Sequence, residues 1–250
     1  MKYLLAPENI KMLQTFLTND AVFGFDFDGT LAPLVDNRDM ARMSPETERL
    51  LEKFTKIAKV AIITGRGIKD IEYLMNVKPH YLIGNHGSEG LLGEEESMKI
   101  INNNSSFQAH LLNTYSAQLA KHSIEIEDKK YSLSLHYRKS RDVQETEKFL
   151  SQIVRDLDAV IIPGKFVLNI LPPGNLNKGD AFTSIMYEEK VSSGFYIGDD
   201  VTDEDVFIIK DPKVLTVRVG ESHSSLASYF IHDQSEINIL LEHLCKRTTA

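Results

Sequence analysis

Apolar and polar positions alternate in two different ways along this chain of 250 residues. Short apolar runs near the N-terminus predict buried strands at Ala21–Phe27, Val60–Thr64 and His80–Gly84. The segments between them have the spacing of amphipathic helices, at residues 7–19, 45–56 and 68–75. Ser44 and Pro45 suit the cap and first position of the second helix. Buried strands alternating with helices predict a parallel sheet covered on both faces.

The pattern changes at about Gly93. Helical stretches at 104–122 and 141–156 each precede a predicted hairpin, with turns at 127–129 and Pro163-Gly164. In the strand 130–136, Leu133 and Leu135 share one face, and Ser134 and His136 the other. After residue 175 the first pattern returns, with a helix at 178–189 and a strand at 194–197. We therefore predict an α/β core of residues 1–92 and 176–250, with an inserted α+β domain at 93–175.

Composition excludes several classes of protein. Wholesale disorder does not fit an apolar share of 42%. With 36 acidic and 28 basic residues, the net charge of −8 argues against binding nucleic acid or anionic membranes through bulk charge. The apolar runs are shorter than the roughly 20 residues that cross a bilayer, and the first 17 residues are too polar for a signal peptide. The lone Cys245 excludes a disulfide framework. We expect a cytoplasmic monomer.

Carboxylates collect where the predicted core strands end. Asp26 and Asp28 follow the first strand, and Asp199 and Asp200 follow the strand at 194–197. Ligands of open parallel sheets bind at this edge, but a DxD pair alone is more often only a turn or a cap. Thr202 with Asp205 resembles a helix-capping box that needs no chemistry. Because clustered carboxylates repel one another, two acidic clusters predict a bound cation, and oxygen ligands favour Mg²⁺.

Magnesium beside a carboxylate pair indicates phosphoryl transfer. One aspartate can attack phosphorus, while the cation neutralises the charge that would repel this nucleophile. A second carboxylic acid two residues away can protonate the leaving oxygen. Thr64 and Lys178 are side chains of the right type to hold the transferring oxygens.

These motifs resemble the haloacid dehalogenase superfamily of phosphatases. The resemblance covers nearly the whole chain and is carried by residues 26–31, Thr64-Gly65-Arg66, Lys178-Gly179 and Gly198-Asp199-Asp200. Finer details are similar to the trehalose-6-phosphate phosphatase family, namely FDFDGTLAPL, the segment 85–89, His136-Tyr137-Arg138 and GDDVTDEDVF at 198–207.

The resemblance implies a magnesium-dependent sugar phosphatase whose inserted domain is a lid. By it, Asp26 is the nucleophile and a metal ligand, and Asp28 is the acid/base whose backbone carbonyl also binds the metal. Asp199 is the next ligand, Asp200 is a ligand or a partner of bound water, and Asp203 supports the site. The residues expected to meet the phosphosugar or the closing lid are Gly65, Arg66, Asn85, His86, Glu89, Arg138 and Asn169.

One position departs from the family pattern. Where these enzymes show Glu-x-Arg/Lys-Pro, this chain has Asn169-Ile170-Leu171-Pro172. Asn169 can hydrogen-bond a sugar hydroxyl but brings no charge. Sucrose phosphate, glucosylglycerol phosphate or mannosyl-phosphoglycerate therefore stay open as substrates. The sequence is also compatible with a phosphosugar mutase or a non-catalytic phosphosugar sensor, although a sensor is expected to have lost Asp26, Asp28 or Lys178.

Overall fold

The polypeptide forms two structural units in a computed structural model that describes residues 1–17 and 20–246, apart from the side chain of residue 156. The core unit comprises Met1–Leu91 and the segment from Leu176 onward, and the inserted unit comprises Leu92–Asn175. The strands are β1 (Lys2–Tyr3), β2 (Ala21–Phe25), β3 (Lys59–Ile63), β4 (Tyr81–Ile83), β5 (Glu125–Asp128), β6 (Leu133–His136), β7 (Val160–Gly164), β8 (Val167–Leu171), β9 (Ser193–Gly198), β10 (Val214–Val219) and β11 (Tyr229–Ile231). The helices are α1 (Pro7–Phe16), α2 (Pro45–Thr55), α3 (Ile68–Leu74), α4 (Glu94–Lys121), α5 (Val143–Ile153), α6 (Lys178–Glu188), α7 (Glu204–Phe207) and α8 (Ile237–Leu244).

The sheet of the core unit is parallel, with the strand order β1-β11-β10-β9-β2-β3-β4. Side chains alternate along β2, so that Phe23 and Phe25 join one apolar cluster with residues of α1, α2 and α8. Val22 joins a second cluster with residues of α6 and α7 on the opposite face. The predicted parallel sheet, covered by helices on both faces, is confirmed.

Strands β2 and β9 are neighbours at the point where the chain direction across the sheet changes. From β2 the chain continues to β3 and β4 on one side, and from β9 it continues to β10 and β11 on the other. The loops that leave two such strands diverge and open a crevice at the carboxyl edge of the sheet. The fold therefore positions a site where the chain leaves Phe25 and Gly198.

In the inserted unit, two helices cover one face of an antiparallel sheet with the order β5-β6-β8-β7. Leu133, Leu135 and Ile170 pack with Leu111 of α4 and Leu150 of α5 in one cluster. The predicted α+β character is confirmed, and the α/β core with an α+β insertion is the observed fold class.

Helix α4 begins at Glu94, ten residues before the predicted start, and the solvated loop predicted at 94–96 is its first turn. Three glutamates there favour a helix N-terminus because their charge complements the unpaired N–H groups. The asparagines at 102–104 are poor helix formers, so the sequence did not indicate a helix before them. In the structure Asn104 is buried in the helix and donates to Asp128 Oδ1 over 2.9 Å.

Both predicted hairpin turns of the inserted unit are misplaced. Pro163 and Gly164 lie in strand β7 opposite Leu168 and Val167, and the chain turns at 165–166, where Phe166 has φ 60°. The first turn lies at 129–132 rather than 127–129, with Lys130 at φ 72°. Residues other than glycine rarely adopt positive φ, so the sequence alone favoured a turn at the Pro-Gly pair and not at Phe166.

Helix boundaries in the core unit shift by only a few residues. Helix α1 ends at Phe16, and the end predicted at residues 18–19 lies outside the described residues. Helix α2 has the predicted cap, because the Ser44 side chain accepts a hydrogen bond from the Thr47 N–H. Throughout residues 1–17 and 20–246, no helix has both the length and the apolar character that crossing a bilayer requires.

Candidate active site

Asp26 directly follows strand β2 at the carboxyl edge of the sheet. Its backbone N–H donates to the Ile197 carbonyl over 2.9 Å, so the pairing with β9 continues one residue beyond the strand. The residue is only 4% exposed. A carboxylate buried this deeply needs a cationic partner, since an unpaired buried charge is strongly destabilising.

Lys178 supplies that partner from the first turn of helix α6. Its ammonium lies 2.7 Å from Asp26 Oδ1 and 2.8 Å from Asp203 Oδ1, and the residue is 2% exposed. The start of the helix is fixed by reciprocal hydrogen bonds between Asn177 and Asp180, each side chain accepting from the other's backbone N–H. The cap therefore sets where the ammonium enters the site.

Asp203 is held by donors around both of its carboxylate oxygens. Besides Lys178, Oδ1 accepts from the Tyr196 hydroxyl over 2.8 Å, and Oδ2 accepts from the Asp200 N–H over 2.9 Å. The carboxylate lies against Gly198, where an added Cβ would come within 2.1 Å of its Cγ. Burial, followed by the charge of Asp203, raises the pKa of Tyr196, so the hydroxyl stays a donor.

The capping box predicted from Thr202 and Asp205 is wrong by two residues. Asp200 is the cap of the short 3₁₀ turn at 201–203, and its backbone carbonyl accepts from the Asp203 N–H over 3.2 Å. In return, the Asp200 N–H donates to Asp203 Oδ2, which completes the cap. The turn therefore starts at Asp200, one residue after Asp199, so Asp199 takes no part in the cap.

Asp199 lies over the first loop of the site. Gly29 has φ 80°, and a Cβ there would lie 2.1 Å from Asp199 Oδ2, so both the backbone conformation and the close approach require glycine. Within the described part of the chain, buried Asp199 Oδ1 has no hydrogen-bond partner. One carboxylate oxygen from each of Asp26, Asp199 and Asp203 lies within 4.8 Å of the others.

The electrostatics of this cluster follow from its burial. Burial raises the pKa of Asp26 well above its ordinary value; Lys178 opposes this rise, and the charges of Asp203 and Asp199 add to it. Burial and the charge of Asp203 raise the pKa of Asp199 to about 7. For Lys178, burial works to lower the pKa, but Asp203 and Asp26 together raise it. The cluster thus holds more negative charge than one ammonium neutralises.

These residues fit a divalent cation. Asp199 Oδ1 is a buried acceptor without a donor, and the excess negative charge is of the kind that a hard cation with oxygen ligands relieves. Asp200 is exposed, and its backbone caps the 3₁₀ turn at 201–203. It lies outside the carboxylate cluster, so its assignment as a ligand stays a prediction.

Asp28 and Arg66 form a two-point ion pair. Arg66 Nε and Nη2 each lie 2.6 Å from a different oxygen of Asp28, and Nη2 also donates to the Arg38 carbonyl over 2.8 Å. Arg66 is 3% exposed. Its guanidinium therefore orients the second aspartate of the DxD pair, and the expected contact of Arg66 with the substrate or the closing lid stays a prediction.

Thr64 and the loop after strand β4 line the same edge of the sheet. Thr64 is 1% exposed, its N–H donates to the Ile83 carbonyl, and its hydroxyl accepts from the Arg66 N–H over 3.2 Å. The ring of His86 lies against Gly65, where a Cβ would come within 2.4 Å of His86 Cε1. The β3 loop and the β4 loop therefore support each other.

Asn85 and Glu89 are joined to each other rather than left free. Glu89 Oε2 accepts from Asn85 Nδ2 over 2.9 Å and from the Ile68 N–H over 2.8 Å, at the start of helix α3. Asn85 and His86 have φ of 48° and 59°, a conformation uncommon for side-chain-bearing residues. The hydrogen bond between Asn85 and Glu89 thus holds a tight, strained loop in place. The contact of these two residues with the substrate stays a prediction.

The two predicted site residues of the inserted unit differ in how they are held. Arg138 is exposed, with its guanidinium carbon 6.0 Å from the centre of the Phe166 ring. Asn169 Oδ1 accepts from the Ser134 hydroxyl over 2.6 Å, and its Nδ2 donates to the Ile162 carbonyl over 3.3 Å. Each end of the Asn169 amide therefore already has one partner.

Sequence reasoning missed Tyr196. It sits inside an apolar strand, where a tyrosine is typical of the core, and the only signal is its place three residues before Asp199 on the strand that leads into the site. The paired role of Arg66 was also missed, because a two-point ion pair depends on the spacing of two loops that only the fold brings together.

Comparisons with known proteins identify the family of this chain and proteins of similar fold. The model of the family described as Trehalose-phosphatase matches residues 24–235. Probable trehalose-phosphate phosphatase E of Arabidopsis thaliana is 28% identical over an alignment of 248 positions, and the alignment covers 89% of this chain and 69% of that protein. A trehalose-phosphate phosphatase of Mycobacterium tuberculosis is 26% identical over an alignment of 204 positions, with coverage of 77% of this chain and 51% of that protein. The solved C-terminal domain of the Candida albicans trehalose-6-phosphate phosphatase has a similar fold, with a TM-score of 0.70, 22% identity and coverage of 96% and 97%.

Proposed function

The chain belongs to the trehalose-phosphatase family of phosphoric monoester hydrolases, and on that premise we propose that it hydrolyses trehalose 6-phosphate to trehalose and phosphate with Mg²⁺. The observation that carries the proposal is the buried bridge from Asp26 through Lys178 to Asp203, with the unpartnered oxygen of Asp199 beside it. Such an arrangement prepares one carboxylate to react with an anion.

We infer that Asp26 is the nucleophile. A carboxylate oxygen of Asp26 forms a bond to phosphorus as the bond from phosphorus to the sugar oxygen breaks, giving trehalose and an aspartyl-phosphate. Water then attacks the same phosphorus and releases phosphate and the free carboxylate. Lys178 holds Asp26 in one orientation for both steps, since its ammonium is fixed at 2.7 Å.

Asp28 is the proposed acid and base. In the first step Asp28 gives a proton to the leaving sugar oxygen, and in the second it takes a proton from the attacking water. Here Arg66 contacts both oxygens of Asp28, so this ion pair has to open before Asp28 can take up the proton that the first step requires. Thr64 and Lys178 are the proposed donors to the phosphoryl oxygens.

Asp26 and Asp199, with the backbone carbonyl of Asp28, would hold the Mg²⁺ ion. When bound, the ion neutralises phosphate charge that would otherwise repel the nucleophile. Asp203 already accepts hydrogen bonds at both oxygens, which supports a positioning role for it rather than direct ligation. Asp200 remains a candidate partner for water on the ion.

The residues proposed for recognition of the sugar are Gly65, through its backbone, and the side chains of Arg66, Asn85, His86, Glu89, Arg138 and Asn169. A related phosphosugar is the second candidate substrate, because Asn169 is neutral and its amide is already bonded to Ser134 and Ile162. Such a side chain offers a sugar fewer hydrogen bonds than a free carboxylate does.

Phosphate release from a panel of phosphosugars tests the proposal. We expect the highest kcat/KM with trehalose 6-phosphate, loss of activity with EDTA, and recovery when Mg²⁺ is added. A higher kcat/KM with sucrose phosphate, glucosylglycerol phosphate or mannosyl-phosphoglycerate would replace the substrate but keep the mechanism. Binding of these sugars without any phosphate release would contradict the mechanism and support a sensor.

A further inference from the structure

Tyr196 is a fully buried polar residue of strand β9 that contacts the charged bridge of the site. Its ring passes closely over strand β2, where a Cβ on Gly24 would lie 2.5 Å from Tyr196 Cδ2. The ring of Phe182 in helix α6 packs edge-on against it, at 5.4 Å between ring centres. Glycine at position 24 and the ring of Phe182 thus fix the direction of the tyrosine ring.

The Tyr196 hydroxyl and the Lys178 ammonium donate to the same oxygen of Asp203. Asp203 Oδ1 accepts from the hydroxyl and from the ammonium, each over 2.8 Å. The other oxygen, Oδ2, is taken by the Asp200 N–H. Because the Tyr196 hydroxyl donates to the same oxygen from within the sheet, the three hydrogen bonds together restrict rotation of the Asp203 carboxylate.

The restricted rotation of Asp203 also restricts the orientation of the Lys178 ammonium. An ammonium has three donors, and the contacts with Asp26 and Asp203 use two of them. The direction of the third N–H is set once the other two are fixed. A small rotation of Asp203 would therefore turn both the N–H toward Asp26 and the donor left for a bound oxyanion.

We propose that Tyr196 is a positioning residue, which locks Asp203 and through it aims the Lys178 ammonium at Asp26 and at the phosphoryl group. This inference rests on the proposed function, in which Lys178 holds phosphoryl oxygens. Tyr196 itself contacts neither the substrate nor the nucleophile in this assignment. Its hydroxyl acts only through Asp203.

The variant Tyr196→Phe removes the hydroxyl and keeps the ring. We expect kcat for phosphate release to fall about tenfold and KM to rise by no more than the affinity for phosphate falls, since orientation at the reacting centre is lost and sugar contacts are not. The matched control is Tyr81→Phe. Tyr81 lies on strand β4, and its hydroxyl donates to Glu189 over 2.8 Å. The control should keep the wild-type kcat.

A second measurement separates this inference from the proposed function. Calorimetric titration of each Mg²⁺-loaded protein with inorganic phosphate reports on Lys178 without any turnover. We expect Tyr196→Phe to bind phosphate about three- to tenfold more weakly than wild type and Tyr81→Phe to match wild type. Thermal melts identify a temperature at which all three proteins are fully folded, and both measurements are made below it.

The outcomes are distinct. If the wild type releases no phosphate from any sugar, the proposed function fails, while phosphate binding still decides the role of Tyr196. If folded Tyr196→Phe equals the wild type in kcat and in phosphate affinity, Tyr196 is a core residue only and the inference is overturned. The inference is also overturned if Tyr81→Phe loses as much as Tyr196→Phe, because the effect would then be general.

Discussion

The bridge of the core unit and the polar face of the inserted sheet are both built from paired side chains, but their environments differ. Lys178 and Asp203 have side chains that are 2% and 0% exposed, and they are linked by a short charged contact. His136 and Glu127, on the antiparallel sheet, are 2.7 Å apart with side chains that are 33% and 43% exposed. A buried pair cannot lose one member without leaving an uncompensated charge, whereas solvent screens the exposed pair.

The comparison indicates which positions of this chain tolerate substitution. The buried bridge constrains every residue in it, because each carboxylate oxygen of Asp203 is already used. On the inserted sheet, Ser134 and Asn169 form a neutral pair that carries no charge to compensate, although Ser134 is buried. We therefore expect substitutions in the bridge to affect chemistry and folding strongly, and substitutions on the inserted sheet to change substrate preference.

The strongest test of the comparison replaces the proposed nucleophile. Asp26→Asn keeps the size of the side chain but removes the attacking charge, so we expect kcat to fall at least about a thousandfold. Steady-state phosphate release measures this, and circular dichroism checks that the variant is folded. Substantial remaining turnover in the folded variant would exclude Asp26 as the nucleophile.

Removing the cation of the bridge should affect folding itself. Lys178→Met leaves Asp26 and Asp203 facing each other in a buried site, and we expect a loss of about 3–5 kcal/mol in the free energy of unfolding. Denaturant titration measures it. The matched control is Lys139→Met, which breaks an exposed pair with Glu125 and should change stability by less than about 1 kcal/mol. Equal losses would mean that burial does not distinguish the two pairs.

The pKa of Asp199 predicts how protons compete with the metal. A folded-state pKa of about 7, above the ordinary value, means that Asp199 is protonated below that pH and resists ionisation until pH rises through it. In metal-free protein, its contribution to stability is therefore present below about pH 4 and is lost as the pH rises through about 7. Bound Mg²⁺ should oppose that loss. We expect the Mg²⁺ affinity to rise up to about tenfold per pH unit below pH 7 and to level off above it.

Calorimetric titration with Mg²⁺ at several pH values measures this competition. Asp199→Asn supplies the control, since an amide has no proton to lose in this range and its weaker binding should depend less on pH. An affinity for Mg²⁺ that is independent of pH between 5 and 8 in the wild type would contradict the assignment of Asp199 as a ligand.

The sequence predicted the fold class and brought the right strand ends together, because buried parallel strands and strand-end carboxylates are both visible in it. It could not predict the partners inside the site. The pairing of Arg66 with Asp28 and of Tyr196 with Asp203 joins residues of different loops and strands, whose distances only the folded sheet sets. Local signals also misled: Pro163-Gly164 favoured a turn, yet strand pairing overrode that preference.

The smallest expected effect concerns the inserted sheet and would sharpen its contrast with the bridge. Ser134→Ala removes the hydroxyl that donates to Asn169 Oδ1, which frees one end of the amide without changing its charge. If Asn169 meets the sugar, KM for trehalose 6-phosphate should change by about two- to fivefold while kcat stays constant, since a sugar contact alters binding and not the reaction at phosphorus. Ser151→Ala is the matched control, because its hydroxyl donates only to the Glu147 carbonyl on helix α5. A change in kcat rather than KM would mean that the inserted sheet takes part in the chemistry, and the division between the two regions would not hold.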